Sequence, residues 1–161
     1  MTILLKDVIF EDTVNYKKTC MTLEMPFCSM KCDKECGKPV CQNGALASLS
    51  NIEVDADSLI QRYSNNPMVH AICFQGMEPF DSWPQLAEFI SMFREHSNDD
   101  VVIYTGYTAC ELRDKLSEIK NVGRENVYVK FGRYVPDQES HYDDVLGVYL
   151  ASNNQYGERI C

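Results

Sequence analysis

The sequence predicts an α/β chain, a mostly parallel sheet flanked by helices, in one domain spanning residues 1–161. Three observations predict it. Short, nearly continuous apolar runs such as "HAICF" and "VVIY" read as strands buried on both faces, as in a parallel sheet. Segments of helical periodicity separate them, giving the strand–helix–strand order of parallel α/β architecture. The length of 161 residues suits one core, and 45% hydrophobic with 24% charged residues is an ordinary globular composition.

The elements follow in order. "TCMTLEM" at 19–25 is the first strand of the alternation. Residues 28–47, "CSMKCDKECGKPVCQNGALA", read as a polar loop carrying Gly37, Pro39 and Gly44. From Asp55, "DADSLIQRYSN" is a short helix with an acidic first turn. "VHAICFQ" at 69–75 is the second strand. In the stronger helix that follows, Ser82 caps, Pro84 sits in the first turn, and Leu86, Phe89, Ile90 and Phe93 recur at i, i+3, i+4 and i+7. "SNDD" ends it. "VVIYTG" at 101–106 is the third strand. Thr108 with Glu111 makes a capping-box pattern ahead of Leu112, Leu116 and Ile119 on one face. "NVYVKFG" at 126–132 is the fourth strand, "VPDQESHYDD" a polar loop, and "VLGVYLAS" at 145–152 the last strand. In such sheets ligands bind beyond the carboxyl ends of the strands. The cysteine-rich loop follows the first strand, "QGMEP" the second, "YTGYT" the third and "GRY" the fourth. Four unusual loops therefore share one rim.

Charge and hydropathy exclude several function classes. Lys plus Arg total 15 against 24 Asp plus Glu, a net charge of -9. That disfavours a nucleic-acid backbone as main partner. No apolar run approaches the ~18 residues of a membrane span, so no membrane is expected as a partner. The start "MTILLKDVIFED" turns acidic too soon for a secretory signal. The expected compartment is the reducing cytoplasm.

The 8 cysteines are too few for a disulfide scaffold in a chain of this size. Cys28, Cys32, Cys36 and Cys41 cluster within one short span. Clustered thiols in a reducing compartment read as metal ligands or redox groups. Three thiolates on a loop suit a soft metal centre. A 4Fe–4S cluster normally takes four thiolates; with three protein ligands, one iron stays open to a small molecule. Zinc favours two close pairs of ligands, a pattern this single span lacks. The order is iron–sulfur first, zinc second, inert surface thiols third. Cys20 and Cys73 fall in strand patterns and read as small buried hydrophobes, whereas Cys110 and Cys161 are scattered. His70, His96 and His141 are isolated and receive no metal role.

Several motifs occur in the order of a known family. "FEDTVNY" at 10–16 precedes the cysteine strand, "PFCSMKC" has C-x3-C spacing, and "CQNG" at 41–44 places Asn43 two residues after Cys41. "FQGMEPF" at 74–80 resembles a Gly-Gly-Glu-Pro motif, and "VVIYTGYT" a third-strand motif. "VKFGRYV" resembles an Asp-Gly-Arg/Pro strand end, and "ASNNQ" at 151–155 a Ser-Ser-Asn-Gln element. In this joint order the chain resembles the radical S-adenosylmethionine (SAM) enzymes. The closest resemblance is to the small activating enzymes of anaerobic ribonucleotide reductase.

The resemblance implies a partial (β/α) barrel-like domain over 1–161, with a cluster loop at 28–47. It implies a 4Fe–4S cluster on Cys28, Cys32 and Cys41, and SAM along the rim. Asn43, Gln75, Gly76, Met77 and Glu78 would line one side, and Tyr104, Thr105 and Gly106 the next strand end. Arg133 would meet the SAM carboxylate, since guanidinium matches carboxylate in bidentate fashion. Asn153, Asn154 and Gln155 would face ribose or adenine. No catalytic side chain is expected beyond cluster and SAM. The implied partners are a glycyl-radical enzyme such as anaerobic ribonucleotide reductase, and a flavodoxin- or ferredoxin-type reductant.

Each piece also has a plainer reading. Gly76-Met77-Glu78-Pro79 alone is an ordinary turn into a helix. Arg133 alone is a solvated cation, and Asn153 to Gln155 alone a cap or loop. The chain also departs from the family's C-x3-C-x2-C spacing. Its third cysteine is Cys36 or Cys41; Val40 before Cys41, and Asn43 after it, favour Cys41. Cys36 then lies in an insertion, "DKECGKPV", as a spare thiol, a fourth ligand when SAM is absent, or the true third ligand. Met77 replaces the second glycine and requires a negative φ. These departures keep a second reading open: a non-catalytic module of the same ancestry, holding zinc or a four-thiolate cluster on Cys28, Cys32, Cys36 and Cys41.

Overall fold

The computed structural model describes residues 1–161. The chain runs β1 (Thr2–Leu5), β2 (Asp7–Asp12), β3 (Cys20–Met25), α1 (Lys31–Cys36), α2 (Gly44–Ala47), β4 (Ile52–Asp55) and α3 (Ala56–Ser64). It continues with β5 (Ala71–Gly76), a 3-10 turn (Pro79–Ser82), α4 (Trp83–Phe93), β6 (Asp100–Tyr104), α5 (Arg113–Gly123) and β7 (Val127–Phe131). Three short strands close it: β8 (His141–Asp143), β9 (Val148–Leu150) and β10 (Tyr156–Arg159).

A six-stranded sheet of order β10-β7-β6-β5-β3-β2 organises the fold. The four inner strands are mutually parallel; β2 and β10 lie antiparallel on the edges. The chain is thus a mixed α/β structure with a mostly parallel sheet and flanking helices, and the sheet does not close into a barrel. The inner strands are near-continuous apolar runs because both faces are covered. Period-2 alternation assigns the faces. Met21, Leu23, Ile72, Phe74, Val101, Ile103, Val127 and Val129 join Leu86, Phe89, Ile90 and Phe93 of α4 in the larger core. Cys20, Ala71, Cys73 and Val102 point the other way, under Tyr16, Leu146 and Leu150. Cys20 and Cys73 are fully buried thiols, as their strand positions predict.

Four readings change. Residues 28–47 contain two short helices; α1 buries nothing, so no hydrophobic period announces it. Ser82 occupies the start of α4 but its buried Oγ caps nothing. A 3-10 turn precedes α4, and Glu78 caps that turn by accepting from the Phe80 N–H at 3.1 Å. The segments read as a polar loop and a last strand instead form the β8–β9 hairpin. Its apolar residues Leu146 and Leu150 cover the helix-free face, and the true last strand is β10 beside β7. Strands β1, β2 and β4 lie at edges, β1 pairing with β4 in a separate ribbon and sending Ile3 and Leu5 into the larger core. Thr108 and Glu111 exchange hydrogen bonds, Thr108 N–H donating to Glu111 at 2.8 Å and Glu111 N–H to Thr108 Oγ1 at 3.3 Å, but in the turn ahead of α5, whose N-cap position is Leu112 without a side-chain cap. No helix is long and apolar enough to cross a membrane.

Candidate metal centre

Because β3, β5, β6 and β7 run parallel, their carboxyl ends deliver four loops to one rim. A cavity of about 330 Å³ opens there. Cys28, Cys32 and Cys41 line it, and Cys36 does not. All four are free thiols, partly buried. Burial pushes the Cys28 thiol up to about 11 and raises Cys32 as well. A metal entering here therefore displaces protons as it binds.

Local hydrogen bonds explain which thiol reaches the cavity. Asp33, one residue beyond Cys32, accepts from the backbone N–H groups of Val40 and Cys41, both at 2.8 Å. The insertion is thereby folded back, so that Cys41 returns beside Cys32. Gly37 ends α1 at φ 66, a left-handed turn that glycine adopts without strain. Asn43 Nδ2 then donates to the Gly76 carbonyl at 2.6 Å, fastening the third-cysteine loop to the end of β5.

Gly76 sits at φ +84, and a Cβ there would lie 2.0 Å from Glu24 Oε2. Only glycine fits. Met77 is buried and is not among the positive-φ residues, so the departure from Gly-Gly costs no backbone strain. The Glu78 N–H donates to the Phe27 carbonyl at 2.8 Å, tying the β5 loop to the residue before Cys28. Its carboxylate accepts from Thr105 Oγ1 at 2.7 Å, Gly106 N–H at 2.8 Å and Phe80 N–H. Glu78 is thus a buried tie between two strand ends, and burial pushes its carboxyl up to about 7 despite the three donors.

Gln75, Gly76, Met77, Glu78, Tyr104, Thr105 and Gly106 line the cavity with Asn43 and Gln155. The polar ends of Thr105 and Gln155 are already engaged. Thr105 Oγ1 also accepts from Tyr107 N–H, and Gln155 spans Ala151 N–H, Ser152 N–H and the Gly132 carbonyl. Asn153 and Asn154 are exposed and do not line the cavity, and Asn154 Nδ2 donates to the Arg133 carbonyl at 2.9 Å.

Arg133 is engaged by two acidic side chains of the chain. It lines a small adjoining pocket, not the main cavity. Its NH1 and NH2 donate to the two Glu111 oxygens at 2.9 and 2.7 Å. Its Nε lies 3.2 Å from Glu35 Oε1, an ion pair without hydrogen-bond alignment. The guanidinium holds Glu111 down to about 2. Lys31 joins at 3.8 Å from Glu111, so the network docks α1 onto the turn before α5. Arg133 positions the helix that carries Cys32; its fork is filled by carboxylates of the chain itself.

One cavity residue has no sequence signal. Lys130, on β7, is 8% exposed and lines the cavity. Burial brings its ammonium down to about 8.

No three Cys, His, Asp or Glu side chains converge as donors to a single ion. A zinc ion needs its donors at about 2.0–2.3 Å from one point. A 4Fe–4S cluster carries each thiolate on a different iron and spreads them apart. Three soft donors around an open cavity, with the fourth thiol outside it, fit the cluster. The 4Fe-4S single cluster domain family model matches residues 18–155, most of the chain. The chain belongs to this family. No curated protein and no solved structure matches it.

Proposed function

We propose that this chain is a radical SAM enzyme that generates a glycyl radical on a partner such as an anaerobic ribonucleotide reductase. The observation that carries the reading is the triad Cys28, Cys32 and Cys41 on the wall of a cavity that Cys36 does not reach. Cys28, Cys32 and Cys41 would hold a 4Fe–4S cluster with one iron open, and that group, given one electron from a flavodoxin- or ferredoxin-type donor, would supply the reductive cleavage of SAM to methionine and a 5′-deoxyadenosyl radical. The chain's own residues bind and orient. Asp33 and Asn43 set the third thiolate, Gly76 brings β5 backbone to the cavity wall, and Glu78 locks the β5 and β6 ends together. The net charge of -9 favours a partner with a positive docking face. The working compartment in this reading is the cytoplasm.

Anaerobic reconstitution with iron and sulfide, followed by SAM and a reductant, tests it. Roughly four irons per chain and formation of 5′-deoxyadenosine above a cluster-free control are expected. Zinc in place of iron, or a loaded chain that yields no 5′-deoxyadenosine, overturns the catalytic reading.

A further inference from the structure

The β8–β9 hairpin covers the sheet with one face and shows the other to solvent. Asp143 and Leu150 are buried on the inner face. Asp143 accepts from the Leu146 and Gly157 N–H groups, both at 2.8 Å, which latches the hairpin turn to β10. Tyr142 and Tyr149, register partners on the outer face, are 50% and 75% exposed, and their rings meet edge-on at 5.4 Å. A cross-strand ring pair steadies a hairpin by itself. Two further observations give these rings more to do. Tyr149 lines the cavity, so the aromatic face runs into its mouth. The surrounding chain is acidic, with no Lys or Arg from Tyr134 to Glu158. Asp137, Glu139 and Asp144 are exposed there and form no ion pair. Lys17, which reaches the hairpin, commits its ammonium to the Val145 carbonyl at 2.8 Å.

We propose that this outer face docks a segment of the partner protein that bears Lys or Arg, and leads it past Tyr149 to the cavity. The inference rests on reading the cavity as one that acts on a protein. Ring faces attract ammonium and guanidinium groups, and unpaired carboxylates beside them steer the same charge. Lipid phosphates and nucleic acid carry the wrong sign. A second copy of the chain would set these acids against themselves.

Fluorescence anisotropy with the anaerobically cluster-loaded chain tests it, using two labelled, end-capped peptides, one alternating Gly and Lys, the other Gly and Glu. The Lys peptide is expected to bind and the Glu peptide not to. Tyr142→Ser with Tyr149→Ser is expected to weaken the Lys peptide by roughly fivefold to thirtyfold. Tyr142→Phe with Tyr149→Phe keeps both rings and is expected to bind it as wild type does. Should the serine pair unfold the hairpin, the charges still decide. Asp137→Asn, Glu139→Gln and Asp144→Asn together are expected to weaken the Lys peptide by roughly threefold to tenfold. Glu88→Gln, Glu95→Gln and Asp114→Asn remove the same charge from exposed positions on and after α4 and on α5, and are expected to weaken it far less. Equal weakening by the two charge sets, or a folded serine pair that binds like wild type, overturns the docking face and leaves the SAM reading standing. A wild-type chain that binds the Lys peptide in this pattern but forms no 5′-deoxyadenosine upholds the docking face and overturns the radical chemistry.

Discussion

Glu78 shows how one side chain can carry both the order of a site and its pH dependence. Its ordinary value is 4.5, and burial raises it to about 7 in the folded chain. Between those values the folded state holds a proton that the unfolded state has released. The contribution of Glu78 to stability is therefore largest below pH 4.5, falls as pH rises toward 7, and levels off above it. The full change is on the order of 3 kcal/mol. Urea denaturation of the metal-free chain at pH 5 and pH 8 measures it. Wild type is expected to lose stability across that window relative to Glu78→Gln, which lacks the titration; parallel curves for the two would contradict it. Single residues were unevenly legible in the sequence. The cysteines and Gly76 stood out because thiol spacing and a glycine at a strand end carry their meaning locally. Lys130 and Asp33 did not, because a lysine in a strand and an aspartate in a polar loop declare a role only once the partner atoms are in place. Arg133 was legible as a cation at a strand end, but its ion pairs were not, since nothing local shows that Glu111 and Glu35 converge on it.

At the scale of elements, the excursion from Cys32 to Cys41 decides what the site holds. It has no buried residue on α1 to hold it. Its shape rests on Asp33 gripping the Val40 and Cys41 amides, and on the Arg133 network gripping α1 from outside. Removing Asp33 leaves two backbone N–H groups without that acceptor and frees Cys41 from Cys32. Asp33→Ala and Cys41→Ala are both expected to lower iron per chain after reconstitution, Cys41→Ala more severely. Cys36→Ala is expected to keep the wild-type iron content. Loss of the cluster in Cys36→Ala with retention in Cys41→Ala would exchange the two roles. The same scale explains what the sequence hid. The four parallel strands and α4 were readable because burial on both sheet faces, and on one helix face, imposes a period. The β8–β9 hairpin was not, because its apolar residues serve as a cover over Tyr16 and Cys73. A cover imposes no period of 2 or 3.6.

The whole molecule divides its labour between the two ends of one sheet. The carboxyl ends of β3, β5, β6 and β7 carry the cavity, lined by Gly76, Gly106 and Gly132, three free thiols and the buried Lys130. The opposite end is closed by Arg94, which follows α4 and is 3% exposed. Its guanidinium donates to the carbonyls of Gly123, Ser97, Asp99, Glu125 and Asn126, at 2.6 to 3.4 Å. One side chain thus ties the turn entering β6 to the turn entering β7, and reaches the Gly123 carbonyl at the end of α5 as well. In the sequence the same arginine sits among polar residues, and nothing local marks it as buried. Methionine in its place fills part of the volume but donates nothing to these carbonyls. Arg94→Met is accordingly expected to destabilise the chain by about 3 kcal/mol, read as a lower urea midpoint with unchanged slope. Because the two ends share only the length of the strands, iron per chain after reconstitution is expected to stay at the wild-type level under conditions where the variant is folded. A selective loss of cluster in a stably folded Arg94→Met would show instead that the closed end sets the geometry of the open one.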